Sequence, residues 1–596
     1  MQTSVAPNIQ QSGQSTQSPS SLLPSPLFAA SADANRRLLL GLAFVCMMAA
    51  LVFFSGLGSF PLFNPDEALY AEPAREMLET GEYVTTLLNY VVRFTKPPLV
   101  IWAMAGCFQI FGVGEFGARF FGAACGVVLT ACTYLFAARH ISTRAALPAA
   151  LTLVSAPLFL GTAREAITDM PLSLFLAGAQ MAFFQAQQNG FKTRSLWLGY
   201  GLTGLAVMTK GPVGVVLPVA ILLAWHILKG DLLTALKGYR LGFGAAIVGL
   251  IALPWFVLEI TITHGAYFQE FIVRENFQRF TANVDSHKQP VWYHLAAMAG
   301  GYFPWTLLLP PALWSVAAPY CKNLLASLGD IKAHQVSLYL QAKALWQRSA
   351  QYLNNLEGPE SCAFYCMLWA AITLVFYSAS VSKLLPYTLP AFPALALLVA
   401  LHLERAWQRV SFKALAMPVL AMILVYGACG LIAPHLTTRL RHAPAELITI
   451  ISSYAAAQAL VCMVALGLLR LKKLTFAMTF VTTAAALCIV SYMGRTLNVV
   501  SAKWEGALPS YSCFAGLSKE PIIVFDMRKP GVPFYALRQV ENINGFWPLK
   551  KRLAQIPSAY ILCRATSIPA LKSLNGVKVL ASQGDFAMVR VVKIAN

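Results

Sequence analysis

Two aspartates lie where polar residues interrupt an otherwise apolar chain. Asp66 and Glu67 follow a proline, and Asp169 precedes one by two residues. Either aspartate could cap the helix that follows it, because short polar side chains are favoured at that position. A carboxylate held there could equally take a proton from a hydroxyl group or orient that hydroxyl. Both interpretations are open on these residues alone, which makes Asp66 and Asp169 candidate catalytic residues and Glu67 an additional candidate.

Cationic side chains in similar polar segments suit an anionic ligand. Lys96 precedes Pro97-Pro98, which restrict the backbone and so aim the ammonium group. A lysine at a membrane surface often only extends its charge to the solvent, but one that is rigidly held can bind a lipid phosphate. Arg274 and Arg279 lie five residues apart among aromatic residues, and they suit either a solvated amphipathic face or a phosphate clamp. The remaining candidates are Lys210, Lys383 and Tyr387.

The composition places these residues in a membrane protein. Of the 596 residues, 57% are apolar and only 12% are charged, and the mean hydropathy is +0.60. Soluble chains have about 25% charged residues, so an ordinary soluble enzyme, a fibre and a disordered chain are excluded. The formal net charge of +20 would suit nucleic-acid binding in a soluble protein. In a membrane protein the excess of Lys and Arg first sets the orientation, and no nucleic-acid partner is expected.

Apolar segments of about 20 residues can cross the bilayer as helices. The sequence predicts thirteen such spans, at 38–57, 116–138, 145–162, 169–187, 196–209, 212–228, 241–259, 294–318, 363–381, 384–403, 414–434, 448–469 and 474–494. The shorter run 97–112 is predicted to be a surface or re-entrant helix that does not cross the bilayer, because the basic loops then all fall on one side. That side is the cytoplasm, so the N-terminus lies inside and the C-terminus outside. All the candidate residues are then on the outer face.

Three regions differ in composition. Residues 1–35 are rich in Ser, Gln and Pro and predict a disordered tail. Residues 36–497 form the membrane domain, with outer loops at 58–115 and 260–293. Residues 498–596 regain a soluble composition, and the alternation of β-rich and helical runs predicts a small α/β domain. The β-rich runs are 522–525, 560–563, 577–580 and 586–592.

The sequence contains no strong cofactor motif. It has no GxxxxGK[ST] loop, no HExxH helix and no paired CxxC motifs. No cofactor is therefore expected as certain, and a divalent metal held by Glu275 and His287 stays open. Cys513 and Cys563 share the last region and could form a disulfide.

Five motifs occur in one order along the membrane part, namely DEALYAEPAREML, FTKPPL, AREAITDMPL, RENFQRF and SKLLPYTLPAFPALALL. Together they resemble the bacterial GT-C glycosyltransferases that are related to protein O-mannosyltransferases, in particular the aminoarabinose transferases that modify lipid A. The resemblance covers roughly residues 38–500. It implies thirteen spans, surface helices in the first outer loop and a periplasmic α/β domain at the C-terminus.

The resemblance also implies a reaction. It is the inverting transfer of one sugar from a polyprenyl phosphate, such as undecaprenyl phosphate, to an acceptor at the periplasmic face of the inner membrane. A lipid A-type glycolipid is the expected acceptor. By this resemblance Asp66 and Asp169 are the catalytic carboxylates, and Lys96 contacts the lipid phosphate with the assistance of Arg279 and Tyr387.

Two positions differ from the pattern of the lipid A enzymes. Those enzymes have an acidic residue where this chain has Thr95, and they tend to have arginine where it has Leu69. A protein O-mannosyltransferase-like enzyme that acts on Ser or Thr is therefore the closest alternative. A transporter of lipid-linked sugars is an alternative from another class, and it would bury charges near the middle of the bilayer. The candidates are instead assigned to one surface, which favours an enzyme, expected to act as a monomer on a lipid-linked donor and a glycolipid or protein acceptor.

Overall fold

The structure is a computed structural model that describes residues 32–281, 289–332, 338–409, 412–436, 445–471 and 474–593. These residues are mostly helical. The predicted disordered tail lies outside them up to residue 31. Its last four residues, 32–35, belong instead to the first turn of a helix.

The helices, in chain order, are α1 (Ala32–Phe54), α2 (Ala68–Thr80), α3 (Leu99–Phe111), α4 (Glu115–His140), α5 (Thr143–Val154), α6 (Pro157–Ala163), α7 (Asp169–Gln188), α8 (Thr193–Lys210), α9 (Val213–Lys229), α10 (Leu232–Tyr239), α11 (Leu241–Ile262), α12 (Arg279–Thr281), α13 (Tyr293–Gly301), α14 (Leu309–Lys332), α15 (Leu338–Asn354), α16 (Gly358–Ala379), α17 (Phe392–Gln408), α18 (Phe412–Leu436), α19 (Ala445–Arg470), α20 (Leu474–Trp504), α21 (Leu508–Gly516), α22 (Gly531–Ala536), α23 (Phe546–Leu553) and α24 (Ile568–Leu571). A π-helical segment covers Phe268–Gln278, and 3₁₀ turns cover Trp305–Leu308, Leu385–Ala391 and Ala565–Ser567. The strands are β1 (Leu87–Leu88), β2 (Val91–Val92), β3 (Ile522–Phe525), β4 (Glu541–Ile543), β5 (Ser558–Arg564), β6 (Val577–Gln583) and β7 (Phe586–Val592).

Many of the helices are apolar enough to enter a membrane. Within the described residues, six helical segments are long and apolar enough to cross it, and a bent pair makes a possible seventh. The six are α1, α4, α11, α16, Leu385–Gln408 and α19. Shorter apolar helices are α3, α9 and Ala416–Ile432. The protein is therefore a multi-pass membrane protein, while the number of thirteen spans stays a prediction.

Two of the predicted spans are broken. The segment predicted as one helix over 145–162 consists of α5 and α6, which are bent by 67° relative to each other. The segment predicted over 294–318 contains α13, a break and a 3₁₀ turn before α14 begins. Pro157 and Pro304 lie at these breaks, and proline lacks the N–H group that a continuing helix needs. The prediction of continuous helices is wrong at both places.

The first outer loop contains two short helices. Both α2 and α3 have 13 residues, and a helix of that length is about 20 Å long. The hydrocarbon core is about 30 Å thick, so this length suits helices that lie along the surface. Gly81 ends α2 with φ of 74°, a conformation that glycine adopts without strain. The β1–β2 hairpin then leads to Lys96 and α3.

The C-terminal part forms a five-stranded sheet in the order β4-β3-β5-β7-β6. β3 pairs in parallel with β4 and β5, and β7 pairs antiparallel with β5 and β6. One face packs against α21 and α22, and the other against α23 and α24. All four predicted β-rich runs are strands, and the short β4 was not predicted.

This sheet separates the two cysteines that could have formed a disulfide. Both are free thiols. Cys563 in β5 is buried on the face covered by α23 and α24. Cys513 is exposed on α21, which packs against the opposite face. The suggested disulfide is therefore absent.

The largest apolar core lies in the membrane part and is built mainly from α1, α4, α5, α7, α16 and α17. Nearly every residue of α7 is buried. Because α7 begins at Asp169, this packing fixes one of the candidate carboxylates in place. The remaining candidates lie in the first outer loop, at the end of α8, on the π-helical segment and α12, and in the segment between α16 and α17.

Candidate functional site

A buried ion pair ties together the two segments that carry the aspartates. Arg119 of α4 donates hydrogen bonds from Nε and Nη2 to the carboxylate oxygens of Glu67, at 2.7 and 2.6 Å. Glu67 also accepts a hydrogen bond from the backbone N–H of Ala166 at 2.9 Å. Ala166 lies three residues before Asp169, and Glu67 is adjacent to Asp66. The side chain of Glu67, an additional candidate, therefore holds the two segments in register.

Asp66 is exposed in the turn that precedes α2. The N-cap position of α2 is occupied by Glu67, which makes no side-chain cap hydrogen bond. The capping role considered for Asp66 is therefore wrong. Its carboxylate lies at a fixed point of the outer loop and is accessible to a ligand.

Asp169 is buried at the start of α7, with 8% of the residue exposed. Lys210, the last residue of α8, donates a hydrogen bond from Nζ to Asp169 Oδ1 at 2.7 Å. The same Nζ lies 4.4 Å from the centre of the Tyr387 ring, a favourable cation–π distance. The N-cap of α7 is Thr168, so the capping role is wrong for Asp169 as well. The structure thus brings three predicted site residues into contact.

A further carboxyl group, that of Glu165, lies four residues before Asp169. Burial, the largest cause, and nearby negative charge raise the pKa of Glu165 to about 8. That charge comes from Glu67, Asp169 and Asp66. We call these four residues the acidic cluster. Both candidate aspartates therefore lie close enough to Glu165 to affect the pKa of its carboxyl group.

Lys96 and Arg279 converge on a single carboxylate. Lys96 Nζ lies 3.6 Å from Glu275 Oε2, and Arg279 Nη1 donates a hydrogen bond to the same oxygen at 2.9 Å. Glu275 lies on the π-helical segment, and Arg279, four residues later, begins α12. Burial lowers the pKa of Lys96 to about 8, because it disfavours the charged ammonium; Glu275 opposes this effect, and the nearby cations reinforce it. An anion that reached this point would meet two cations.

These cations line a cavity of about 400 Å³, which we call the cation cavity. Its charged lining residues are Lys96, Lys210, Glu275 and Arg279, and Tyr377, Ser380, Ser382 and Tyr387 contribute hydroxyl groups. Two of these hydroxyls, Tyr377 Oη and Ser382 Oγ, are buried and have no hydrogen-bond partner among the described residues. Because buried polar groups are normally hydrogen-bonded, a polar ligand in the cavity would satisfy them.

A second, apolar cavity of about 740 Å³ adjoins the cation cavity. It is lined mainly by side chains of α8, α9 and α11, and almost all of its surface is apolar. Pro212, Val216 and Ile272 contribute to the walls of both cavities. The two cavities together therefore suit a ligand with an anionic head and a hydrocarbon tail.

Two of the residues predicted to bind the lipid phosphate do not line the cation cavity. Arg274 has a half-exposed side chain and donates a hydrogen bond to Glu270 at 2.6 Å. Lys383 is buried and donates a hydrogen bond to the backbone carbonyl of Ser380. Neither side chain is among the residues that line the cavity. Their suggested contact with a lipid phosphate stays a prediction.

Three residues of the cation cavity have contacts that the sequence did not predict, and Glu275 was considered there only as a metal ligand. Glu275 lies four residues before Arg279, and this spacing on a helix could have indicated the ion pair. The sequence predicts no role for Tyr377 or for Ser382, although Ser382 begins the motif SKLLPYTLPAFPALALL. Their role follows only from the shape of the cavity.

The sequence suggested Glu275 and His287 as possible ligands of a divalent metal. Among the described residues, no group of three or more His, Cys, Asp or Glu side chains could hold a metal ion. His287 lies outside the residues that the structure describes. Glu275 is already engaged with Lys96 and Arg279. The metal considered at Glu275 and His287 stays an open prediction.

The fold of this chain matches that of a membrane protein of known structure. The crystal structure of ArnT from Cupriavidus metallidurans bound to undecaprenyl phosphate matches this chain with a TM-score of 0.72. The match covers 92% of this chain and 98% of that protein, at 22% sequence identity. The chain therefore has a GT-C fold.

Sequence comparison identifies the related proteins. Residues 38–264 match the family model described as dolichyl-phosphate-mannose-protein mannosyltransferase. A relative from Shewanella sediminis, named undecaprenyl phosphate-alpha-4-amino-4-deoxy-L-arabinose arabinosyl transferase, is 29% identical over 363 residues, which are 60% of this chain and 59% of that protein. A relative of the same name from Aeromonas salmonicida is 30% identical over 356 residues, 59% of this chain and 57% of that protein. The chain thus spans about three fifths of the length of these relatives, and the resemblance predicted from the motifs is confirmed.

Proposed function

We propose that this protein is an integral membrane glycosyltransferase that transfers a single sugar from undecaprenyl phosphate to a lipid A-type glycolipid, with inversion. The carrying observation is the cation cavity, which shares wall residues with an apolar cavity and whose lining residue Lys210 pairs with Asp169 of the acidic cluster. The reaction is assigned to the periplasmic face of the inner membrane. The names of the curated relatives support the choice of donor and acceptor.

The donor's phosphate is proposed to bind between Lys96 and Arg279. Both cations are largely buried, and hydrogen bonds between charged groups are strong where water is excluded. The anion would compete with Glu275 for them. The polyprenyl tail would lie in the apolar cavity, whose walls continue from the phosphate position through Pro212 and Val216.

The sugar is proposed to lie between the phosphate and the acidic cluster. An oxygen of the acceptor attacks the anomeric carbon, and the bond from this carbon to the phosphate oxygen breaks. The electron pair of that bond stays on the departing polyprenyl phosphate. Lys96 and Arg279 stabilise the growing negative charge, and a single displacement of this kind inverts the anomeric configuration.

The two aspartates are proposed to have different tasks. Asp169 is held by Lys210, which suits a carboxylate that orients the donor. Asp66 is exposed, which suits a carboxylate that meets the incoming acceptor. It would remove a proton from a hydroxyl acceptor, and it would only orient a phosphate acceptor that is already ionised.

The topology completes the proposal. The membrane domain 36–497 crosses the bilayer thirteen times and the α/β domain 498–596 lies in the periplasm. The basic loops predicted for the cytoplasmic side support this orientation. The protein acts as a monomer.

The match of residues 38–264 to the protein mannosyltransferase model favours a second candidate. In that case the acceptor would be a Ser or Thr hydroxyl of an exported protein. Thr95, in place of an acidic residue before Lys96, also separates this chain from the lipid A enzymes that its motifs resemble.

One assay tests these proposals together. Purified protein in lipid nanodiscs is given undecaprenyl phosphate that carries radiolabelled 4-amino-4-deoxy-L-arabinose, with either lipid A or a Ser/Thr-rich peptide as the acceptor. We expect the label on lipid A together with released undecaprenyl phosphate. Transfer to the peptide, tested with a mannosyl donor as well, would favour the second candidate. Movement of labelled lipid across sealed vesicles without release of undecaprenyl phosphate would overturn the enzyme in favour of a transporter.

A further inference from the structure

A buried carboxylate of the C-terminal part reaches the loop that carries Asp66. Glu505, which is 1% exposed, lies in the turn between α20 and α21. Its Oε1 accepts a hydrogen bond from the backbone N–H of Asn64 at 3.0 Å, and its Oε2 accepts one from Asn64 Nδ2 at 2.7 Å. Lys529, in the loop after β3, donates to both oxygens at 3.3 and 3.2 Å.

The third hydrogen bond to Asn64 comes from Gly531. The backbone N–H of Gly531, at the start of α22, donates to Asn64 Oδ1 at 2.6 Å. A Cβ atom at Gly531 would lie only 2.7 Å from Asn64 Nδ2. Glycine therefore permits this close approach, and the amide of Asn64 is held on both of its polar atoms by the C-terminal domain.

The contact belongs to a larger docking surface. The backbone N–H of Leu62 donates to Tyr535 Oη at 2.8 Å, and Phe534 packs against Phe108 of α3 with ring centres 6.1 Å apart. Asn89 and Val540 exchange two hydrogen bonds. The C-terminal domain thus rests on the first outer loop, and several contacts besides Asn64 keep it there.

Asp66 lies between two anchors of different origin. On one side, Glu67 is bound by Arg119 of the membrane domain. On the other side, Asn64 is bound by Glu505 and Gly531. The backbone of Asp66, whose carboxylate is exposed, is therefore fixed on both sides.

We propose that Glu505 and Asn64 are positioning residues for Asp66, so that the C-terminal domain forms part of the machinery for sugar transfer. This inference rests on the proposed catalytic role of Asp66. A displacement of about 1 Å in a reacting group can lower turnover roughly 100-fold. Donor binding depends on the cation cavity and should be unaffected by such a displacement.

The test compares kcat and KM for the lipid donor in three variants. We expect Asn64→Ala, Glu505→Gln and Gly531→Ala each to lower kcat roughly 10- to 100-fold, with KM for the lipid donor within about twofold of the unchanged protein. The matched control variant, Glu520→Gln, removes an ion pair with Arg590 in the same domain. It should keep kcat within about twofold.

The outcomes separate this inference from the proposed function. If Asp66→Asn abolishes transfer but Asn64→Ala and Gly531→Ala turn over normally, the positioning role is overturned and the catalytic role stands. If Asp66→Asn transfers sugar at the normal rate, the catalytic role of Asp66 and the positioning role of Asn64 and Glu505 are both overturned. A thermal unfolding curve for each variant identifies loss of folding, and Gly531→Ala still tests the contact if Glu505→Gln does not fold. A rise of KM equal to the loss of kcat would also overturn the inference.

Discussion

The cation cavity and the acidic cluster concentrate opposite charges, and they change the acidity of their own members in opposite directions. In the cavity, burial and neighbouring cations lower the pKa of Lys96 to about 8. In the acidic cluster, burial and neighbouring carboxylates raise the pKa of Glu165 to about 8. An anionic ligand near Lys96 would raise the pKa of its ammonium group, and a cationic ligand near Glu165 would lower the pKa of its carboxyl group. Under the proposed function, the cavity governs affinity for the donor and the cluster governs turnover.

The substitution Asp66→Asn should give the largest effect. It preserves the shape of the side chain and removes its charge and its ability to accept a proton. We expect kcat to fall roughly 1000-fold, with donor KM nearly unchanged, in the radiolabel transfer assay. Asp585→Asn, which changes an exposed aspartate in the turn between β6 and β7, is the matched control and should behave as the unchanged protein. A loss of donor affinity in Asp66→Asn would contradict the assignment of turnover to the acidic cluster and of donor affinity to the cation cavity.

The substitution Lys96→Ala tests the other side of the comparison. It removes a buried cation and leaves Glu275 paired with Arg279 alone. We expect the dissociation constant for undecaprenyl phosphate to rise roughly 100-fold, measured by the binding of radiolabelled lipid in nanodiscs. Lys551→Ala, which removes an exposed lysine of the C-terminal domain, serves as the control. Unchanged lipid binding in Lys96→Ala would contradict the proposed phosphate position.

The pH dependence of donor binding tests whether Lys96 binds the donor phosphate. Because the pKa of Lys96 is lowered to about 8, its ammonium is charged below that pH and loses its proton above it. Donor KM should therefore rise about tenfold between pH 7 and pH 9. Lys96→Arg should remove this dependence, since guanidinium stays charged over the whole range. Glu165 titrates in the same range, so Glu165→Gln should leave the rise in KM in place.

The smallest effect is expected on removing either of the two cavity hydroxyls that have no hydrogen-bond partner among the described residues, those of Tyr377 and Ser382. If the donor's head group satisfies Tyr377 Oη and Ser382 Oγ, then Tyr377→Phe and Ser382→Ala should each weaken donor binding about fivefold, as expected for one hydrogen bond of about 1 kcal/mol. The double variant would lose both contributions. Stronger donor binding in either variant would mean that the hydroxyls do not face the ligand.

Sequence motifs located much of this site because they combine local spacing with membrane position. Lys96 before two prolines, and Asp66 and Asp169 near helix starts, are signals contained in a few residues. The strands β3, β5, β6 and β7 were likewise evident from short β-rich runs. Such features depend on neighbouring residues along the chain.

Other features depend on packing between distant segments, and no local pattern contains them. Glu275 meets Lys96 across 179 positions of sequence, and Glu505 meets Asn64 across 441. Arg119 is fully buried within an apolar predicted span. The hydropathy of that span does not indicate that Glu67, 52 residues away, neutralises its charge. The bend between α5 and α6 was missed for a related reason, since hydropathy reports apolar length and not direction.

The wall that Pro212, Val216 and Ile272 share between the two cavities has a kinetic consequence. A donor whose tail occupies the apolar side would arrive by lateral diffusion within the leaflet instead of from the aqueous phase. The quantity that saturates the enzyme is then the mole fraction of donor among the surrounding lipids. At a fixed total amount of donor, dilution with inert phospholipid would slow the reaction, and the volume of buffer would be irrelevant.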